Sequence, residues 1–207
     1  MKPMLMNTEM VKAILVGRKT VTRQLIKPQP YGVLYDGALQ HGEVEDGDVL
    51  LTLTKDGKTE MIIPPYQVGD VLYVRETFLK ATGYYHYKAD GKHEILDTLV
   101  GHSFFKWQPS IHMPKEAARI FLRVIDVRVE HLKDVTLDDA IAEGCQGKFI
   151  GCGECAGAGW EILPEDEFAD LWDSTIKKSD LDKYGWDANP WVFVISFERV
   201  LKDEAMQ

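Results

Sequence analysis

The chain has 207 residues and a mass of 23.5 kDa, enough for one large domain or two small ones with a buried core. Hydrophobic residues make up 45% and charged residues 28%, which is the composition of a globular chain and excludes disorder as the default. With 24 Lys+Arg against 33 Asp+Glu, the net charge is −9 and the isoelectric point is near 5.2; a protein that coats nucleic acid by bulk charge is excluded.

The first predicted element is a helix from Thr8 to Val16, with Thr8 as its cap, Met10, Val11, Ile14 and Leu15 at helical spacing, and Gly17 as its C-terminal glycine. Arg18 to Arg23 is polar and β-prone, and Lys27-Pro28-Gln29-Pro30 stops it. Residues 31–66 read as short strands separated by turns, with Asp36-Gly37 and Asp56-Gly57 as hairpin signals. Gly69-Asp70 leads into a strand at Val71–Arg75, and Tyr84–Lys88 is a second one, followed by a hairpin turn at Asp90-Gly91. Ile120–Glu130 alternates as a long strand. Thr136 caps a helix that runs through Ala140 to Glu143 and ends at Gly144. A glycine-rich segment spans 144–159, Pro164 opens a helix through Phe168, Leu171 and Trp172, and Trp191–Phe197 is a closing apolar strand. Many short strands with about three helices and no βαβ alternation predict an α+β chain built round a mixed barrel.

No run of about 18 apolar residues occurs, so no membrane span is expected. Met1 to Met6 lacks the features of a secretory signal, and three cysteines are an odd number for a disulfide framework; a reducing cytoplasm is the expected compartment.

Charge is unevenly placed. Residues 134–207 hold 17 acids and 6 bases, whereas 1–133 hold 16 acids and 18 bases. Between Glu9 and Asp36 there is no acid, yet Lys12, Arg18, Lys19, Arg23 and Lys27 are all basic. Such a stretch can hold an anion or simply solvate a surface turn. Arg18, Arg23, Glu76 and Arg119 are the candidate ligand-binding residues; Glu76 and Arg119 read equally as surface charges, Glu76 pairing with Arg75 or a neighbour, and solvent exposure is the expectation for Arg119 and Arg123. Tyr84, Tyr85, Tyr87 and Trp107 can stack on a base, although aromatics in strands usually pack cores.

Gly151-Cys152-Gly153-Glu154-Cys155-Ala156-Gly157-Ala158-Gly159 has the Cys-x-x-Cys-x-Gly-x-Gly spacing and resembles one half of the zinc knuckle of J-domain chaperones. A structural zinc would take Cys152 and Cys155, with Cys145 as a third ligand and His112, His131 or an acid as a fourth; the alternative is an unligated thiol pair.

Ile14 to Thr22, with its Gly-x-Lys element, resembles the signature of the ASCH domain, a PUA-like β-barrel family. Gly69–Val74, the helix ending Ala142-Glu143-Gly144 and the closing Pro190–Glu198 are similar to further blocks of that family in the same order. Val74-Arg75-Glu76 and Met113-Pro114 resemble its phage- and prophage-encoded branch. Arg23 lies four residues after Lys19 where the family more often has five, and Gln24 takes the usual place. The resemblance implies one PUA-like domain over residues 1–207 with insertions at about 31–66, 81–113 and 145–190.

Members of this pattern are amidohydrolases that deacylate N(4)-acetylcytidine without a catalytic cofactor, and the resemblance implies catalytic roles for Lys19, Thr22 and Glu143. The chemistry needs a nucleophile, a base and an acid for the leaving amine. Lys19 and Thr22 would point to opposite faces of a regular strand, so they converge only if Gly17–Thr20 is a turn. The partner would be a modified nucleoside or RNA. A non-catalytic RNA- or DNA-binding module is the alternative, and a phage interaction protein docking a basic partner on its acidic C-terminal third is another.

Overall fold

A computed structural model of the chain describes residues 1–30, 32–35, 38–39, 42–43, 50–53, 59–81, 83–91, 106–150 and 159–205; within 32–61, and at 150, 159 and 160, the backbone path alone is described. In chain order the elements are β1 (Lys2–Leu5), α1 (Thr8–Leu15), β2 (Val21–Leu25), β3 (Gly32–Tyr35), β4 (Ala38–Leu39), β5 (Gly42–Glu43), β6 (Leu50–Leu53), β7 (Thr59–Ile62), β8 (Val71–Arg75), β9 (Phe78–Ala81), β10 (Tyr84–Tyr87), β11 (Phe121–His131), α2 (Leu137–Ala142), β12 (Lys148–Ile150), β13 (Gly159–Ile162), α3 (Pro164–Thr175), α4 (Leu181–Tyr184), β14 (Trp191–Val200) and α5 (Lys202–Ala205).

The chain is α+β, with a mixed sheet in the order β1–β8–β11–β14–β2 and β5 also on β11; among the described residues that order is an open path and does not close into a barrel. A four-stranded antiparallel sheet, β4–β3–β6–β7, and two strand pairs, β9–β10 and β12–β13, complete it. No helix among the described residues is long and apolar enough to cross a membrane.

The chain divides into two interleaved compact units: 1–18, 69–124 and 197–207 form the first, and 19–68 with 125–196 form the second. In the first, β1 runs parallel to β8 with Lys2 opposite Leu72, and β8 runs antiparallel to the start of β11 with Tyr73 opposite Phe121. Its helix α1 buries Val11, Ala13 and Ile14. The N-cap is Asn7, whose side chain accepts from Met10 N at 2.8 Å, so the expected cap Thr8 is the first helical residue instead. The helix ends as the sequence predicts: Gly17 is left-handed at φ 75°, Gly17 N donates to Ile14 O and Arg18 N donates to Ala13 O. Phe78, Met113, Ala117, Phe121 and Val200 form a core cluster against which Tyr85 and Tyr87 pack. Tyr84–Tyr87 is a strand, but its hairpin partner is the preceding β9, with Tyr84 opposite Ala81. The expected hairpin turn at Asp90-Gly91 is instead the end of a 3-10 turn over Lys88–Asp90.

In the second unit, β2 runs antiparallel to β14 with Thr22 opposite Ile195 and Arg23 opposite Val194. Tyr35 opposes Ala38 and Leu53 opposes Thr59, so paired strands flank both Asp36-Gly37 and Asp56-Gly57. Helix α2 carries the expected N-cap Thr136, reinforced by a reciprocal pair: Thr136 Oγ1 accepts from Asp139 N at 3.2 Å, and Asp139 Oδ2 accepts from Thr136 N at 3.3 Å. Pro164 opens α3, whose Phe168 and Trp172, one turn apart, enter a core with Val21, Leu132, Ala140, Cys145, Val192 and Val194.

Candidate functional site

Both ends of the site lie beside helix C-termini. Thr20 N donates to Ala142 O at 2.8 Å, fastening the lead-in of β2 to the end of α2. Lys19 sits two residues beyond the left-handed Gly17, outside the strand, so the strand alternation that would separate it from Thr22 does not apply. Glu143 is the C-cap of α2, held by Glu143 N to Asp139 O at 2.8 Å.

Residues 19 and 143 therefore meet. Lys19 Nζ donates to Glu143 Oε2 at 2.5 Å, to Glu143 O at 3.0 Å and to Val21 O at 2.8 Å. Three acceptors match the three N–H groups of a lysine ammonium, and the contact is a buried ion pair. The two side chains are 0% and 3% exposed.

Arg23 extends the cluster. Its Nη1 lies 3.4 Å from Glu143 Oε1, and its Nη2 lies 3.3 Å from Glu130 Oε2 and 3.4 Å from Asp139 Oδ2. The guanidinium stands over the Phe168 ring at 5.6 Å, and its buried Nε finds no acceptor among the described residues. Arg128 closes the circuit by donating to Glu130 Oε1 at 2.5 Å and to Asp139 Oδ1 at 3.0 Å. Burial works against the Asp139 carboxylate, but Arg23 first, then hydrogen bonds from Thr136, and then Arg128 hold its pKa below the ordinary value. Burial also opposes the Arg128 charge, and Glu130 and Asp139 reverse that and raise its pKa. Arg23, a candidate for ligand contact, spends its charge on three carboxylates of its own chain. Thr22 is buried in β2 and its side chain makes no hydrogen bond with a described residue.

The basic stretch is accordingly no outward stripe. Lys19 and Arg23 are buried, Lys12 pairs with Glu9 at 3.0 Å, and Lys27 Nζ stands 4.7 Å over the Tyr184 ring. Arg18 is half-buried and closes the end of α1 through its backbone.

Glu76 and Arg119 belong to the first unit and form a cluster of their own. Glu76 is buried rather than a surface partner of Arg75: Arg119 Nε and Nη2 donate to its two oxygens at 2.9 and 3.0 Å. Arg119 Nη1 meets Asp90 Oδ1 at 2.6 Å, and its guanidinium lies 3.9 Å over the Tyr87 ring. Burial opposes the Arg119 charge, yet Glu76 and Asp90 raise its pKa; burial raises that of Tyr87 against the pull of Arg119. The expected solvent exposure of Arg119 is thus replaced by a packed ion pair, while Arg123 pairs with Glu198 at 3.0 Å on an exposed surface. Tyr85 and Tyr87 pack on the core cluster and Trp107 packs on Leu79 and Ala81, whereas Tyr84 is exposed.

Cys145 is buried among Val21, Leu132 and Phe168 in the apolar core; Cys152 and Cys155 lie outside the described residues. His131 stacks on Trp191 with its Nδ1 3.1 Å from Asn189 O, and His112 is exposed. Among the described residues no group of three or more His, Cys, Asp or Glu is arranged to hold a metal.

Sequence reasoning did not find Arg128, Glu130 and Asp139. The signal was present: Arg128 and Glu130 are two apart on a predicted strand, hence on one face, and Asp139 is the capping acid of a predicted helix. No family model, no curated protein and no solved structure matches the chain.

Proposed function

We propose that the protein is a PUA-like, ASCH-type amidohydrolase that removes the acyl group from N(4)-acetylcytidine, with Lys19, Thr22 and Glu143 as its catalytic residues. One observation carries the reading. Two ionisable residues separated by 124 positions, both named by the resemblance, share a direct bond from which water is excluded. Burying a charge pair costs several kcal/mol in desolvation, and a site that moves protons has a use for it.

In this reading a proton crosses the 2.5 Å bond from Lys19 to Glu143, leaving an amine and a carboxylic acid. The amine takes the Thr22 hydroxyl proton as its oxygen attacks the acetyl carbonyl. Glu143 gives its proton to the departing N4 of cytidine, and water hydrolyses the threonyl ester to acetate. Arg23 holds the other Glu143 oxygen, so the transferable proton stays on the side facing Lys19. The zinc knuckle, if built by Cys152 and Cys155, is a structural feature apart from this chemistry.

The RNA- or DNA-binding alternative needs cations that face outward, whereas Lys19 and Arg23 are consumed internally. An uncharged nucleoside suits the cluster better than a polyanion.

The test is incubation of the protein, Lys19→Ala and Thr22→Ala with N(4)-acetylcytidine, followed by chromatography of cytidine. Turnover by the parent and a loss of about 100-fold or more in both variants is expected. No turnover by the folded parent sinks the enzymatic reading, and equal rates in parent and variants sink the assigned roles.

A further inference from the structure

A surface pocket lies within the second unit, away in sequence from residues 19 and 143. It is open to solvent, has a volume of about 390 Å³ and is lined by Asp173, Leu181, Asp182, Gly185, Trp186, Asp187 and Ala188. That volume lies in the range of small-molecule pockets, whose floors of about 300 Å³ or more take a compact organic ligand.

The walls specify the ligand. Leu181 and the Trp186 indole supply apolar surface, three aspartates supply negative charge, and no basic residue is among the described lining residues. The walls are anchored: Asp173 Oδ1 accepts from Trp186 N at 2.7 Å, and the Phe168 ring meets the Trp186 ring edge-on at 6.1 Å. Gly185 keeps the backbone close, since a Cβ there would come within 2.7 Å of Leu181 O and 3.1 Å of Asp173 Oδ1.

The protein itself already seats a cation at the rim. Lys133 Nζ stands 5.9 Å from the Trp186 ring centroid and 3.3 Å from Asp187 Oδ1. An alkylammonium is thus held in this structure by the same indole and one of the same carboxylates that line the cavity. Asp187 is fully exposed and Lys133 substantially so, a pairing weak enough for a competing amine to displace.

We infer that the cavity binds a short aliphatic diamine, its methylenes against Leu181 and Trp186 and its two ammonium groups at Asp182 and Asp187. Two charges suit the lining better than one, because Asp173 is taken up by Trp186 N, Lys133 pairs with Asp187 alone, and no described cation pairs with Asp182. The inference stands whether or not residues 19 and 143 are catalytic.

Calorimetric titration of the full chain with 1,4-diaminobutane, butylamine, 1,4-butanediol and magnesium chloride decides it. The diamine binds, the monoamine binds at least about fivefold more weakly, and the diol gives no heat. Asp182→Asn weakens the diamine several-fold. Lys133→Ala strengthens it, because the internal competitor is gone; a structural role for Lys133 alone would not produce a gain. Trp186→Leu weakens it about fivefold, and if that variant does not melt cooperatively, Asp182→Asn and Lys133→Ala carry the decision. Equal binding of diamine and diol overturns the inference, as does diamine affinity unchanged in Asp182→Asn and Lys133→Ala. Complete displacement of the diamine by equimolar magnesium, with no Trp186 dependence, also overturns it and leaves an acidic surface that attracts any cation.

Discussion

Lys19 and Glu143 pose the question of what a buried ion pair does for the fold that contains it. Removing one partner strands the other in a place that water does not reach, whereas removing both leaves Arg23 and Arg128 still balanced by Glu130, Asp139 and Asp126. Lys19→Met or Glu143→Leu alone therefore lowers stability by about 3–5 kcal/mol, and the double variant Lys19→Met, Glu143→Leu recovers at least half of that loss. Chemical denaturation of the parent, both single variants and the double variant closes the cycle. A double variant as unstable as the sum of the singles would mean that the two residues do not act as a pair. The roles of these residues were legible only through the resemblance, since a lysine in a basic stretch and a glutamate at a helix end are ordinary surface residues by composition. Their contact was not legible at all, because nothing local reports on residues that are 124 positions apart.

Helix α2 shows what an element contributes beyond its own turns. Thr136 and Asp139 cap it, but Asp139 also faces Arg23 and Arg128. Its folded-state pKa lies below the unfolded one, so the stability it contributes is complete above about pH 4 and is lost as pH falls through the lowered value. Thr136→Ala costs about 1 kcal/mol near neutral pH and less in acid, because its hydroxyl also bonds the Asp139 carboxylate. Asp139→Asn, which removes the pairing with Arg23 and Arg128 as well, flattens the acid limb of the stability curve more fully. Denaturant midpoints between pH 2.5 and 7 separate the two; an unchanged acid limb in Asp139→Asn would remove the electrostatic role. Glycines divide in the same way. Gly17 has φ 75° with open space around it, whereas a Cβ on Gly147, at φ 59°, would meet Ile162 O at 2.5 Å and Pro164 N at 2.9 Å. Gly147→Ala is accordingly the more destabilising, by strain plus collision, and Gly17→Ala costs about 1 kcal/mol from strain alone. Equal losses by thermal melting would argue against the close approach. The elements with local signals were readable from the sequence: α1 and α2 from their spacing and glycines, β11 from its alternation, β14 from its apolar run, α3 from its proline. The strands β1, β9, β12 and β13 were not, because each has four residues or fewer and gains its form from a partner strand.

At the scale of the whole chain the net charge of −9 conceals a division that the sequence alone could only approximate by cutting at residue 134. Sorted by the two units, the first carries 13 bases and 10 acids, or +3, and the second 11 bases and 23 acids, or −12. The unit that holds Lys19 and Glu143 also holds the diamine cavity, and it repels a polyanion while attracting amines. A nucleoside has no charge to repel. Deacylation of N(4)-acetylcytidine should therefore change by less than about twofold between 50 and 500 mM salt, because no counterions are released when a neutral ligand binds. An RNA oligonucleotide carrying the same acetylated base should be hydrolysed more slowly at low salt than the free nucleoside, with the gap narrowing as salt screens the acidic unit. Steady-state rates for both substrates across that salt series give the answer. A rate on RNA that exceeds the nucleoside rate at low salt and falls steeply with added salt would make RNA the substrate, and would require cations that Lys19 and Arg23, bound to their own carboxylates, do not supply.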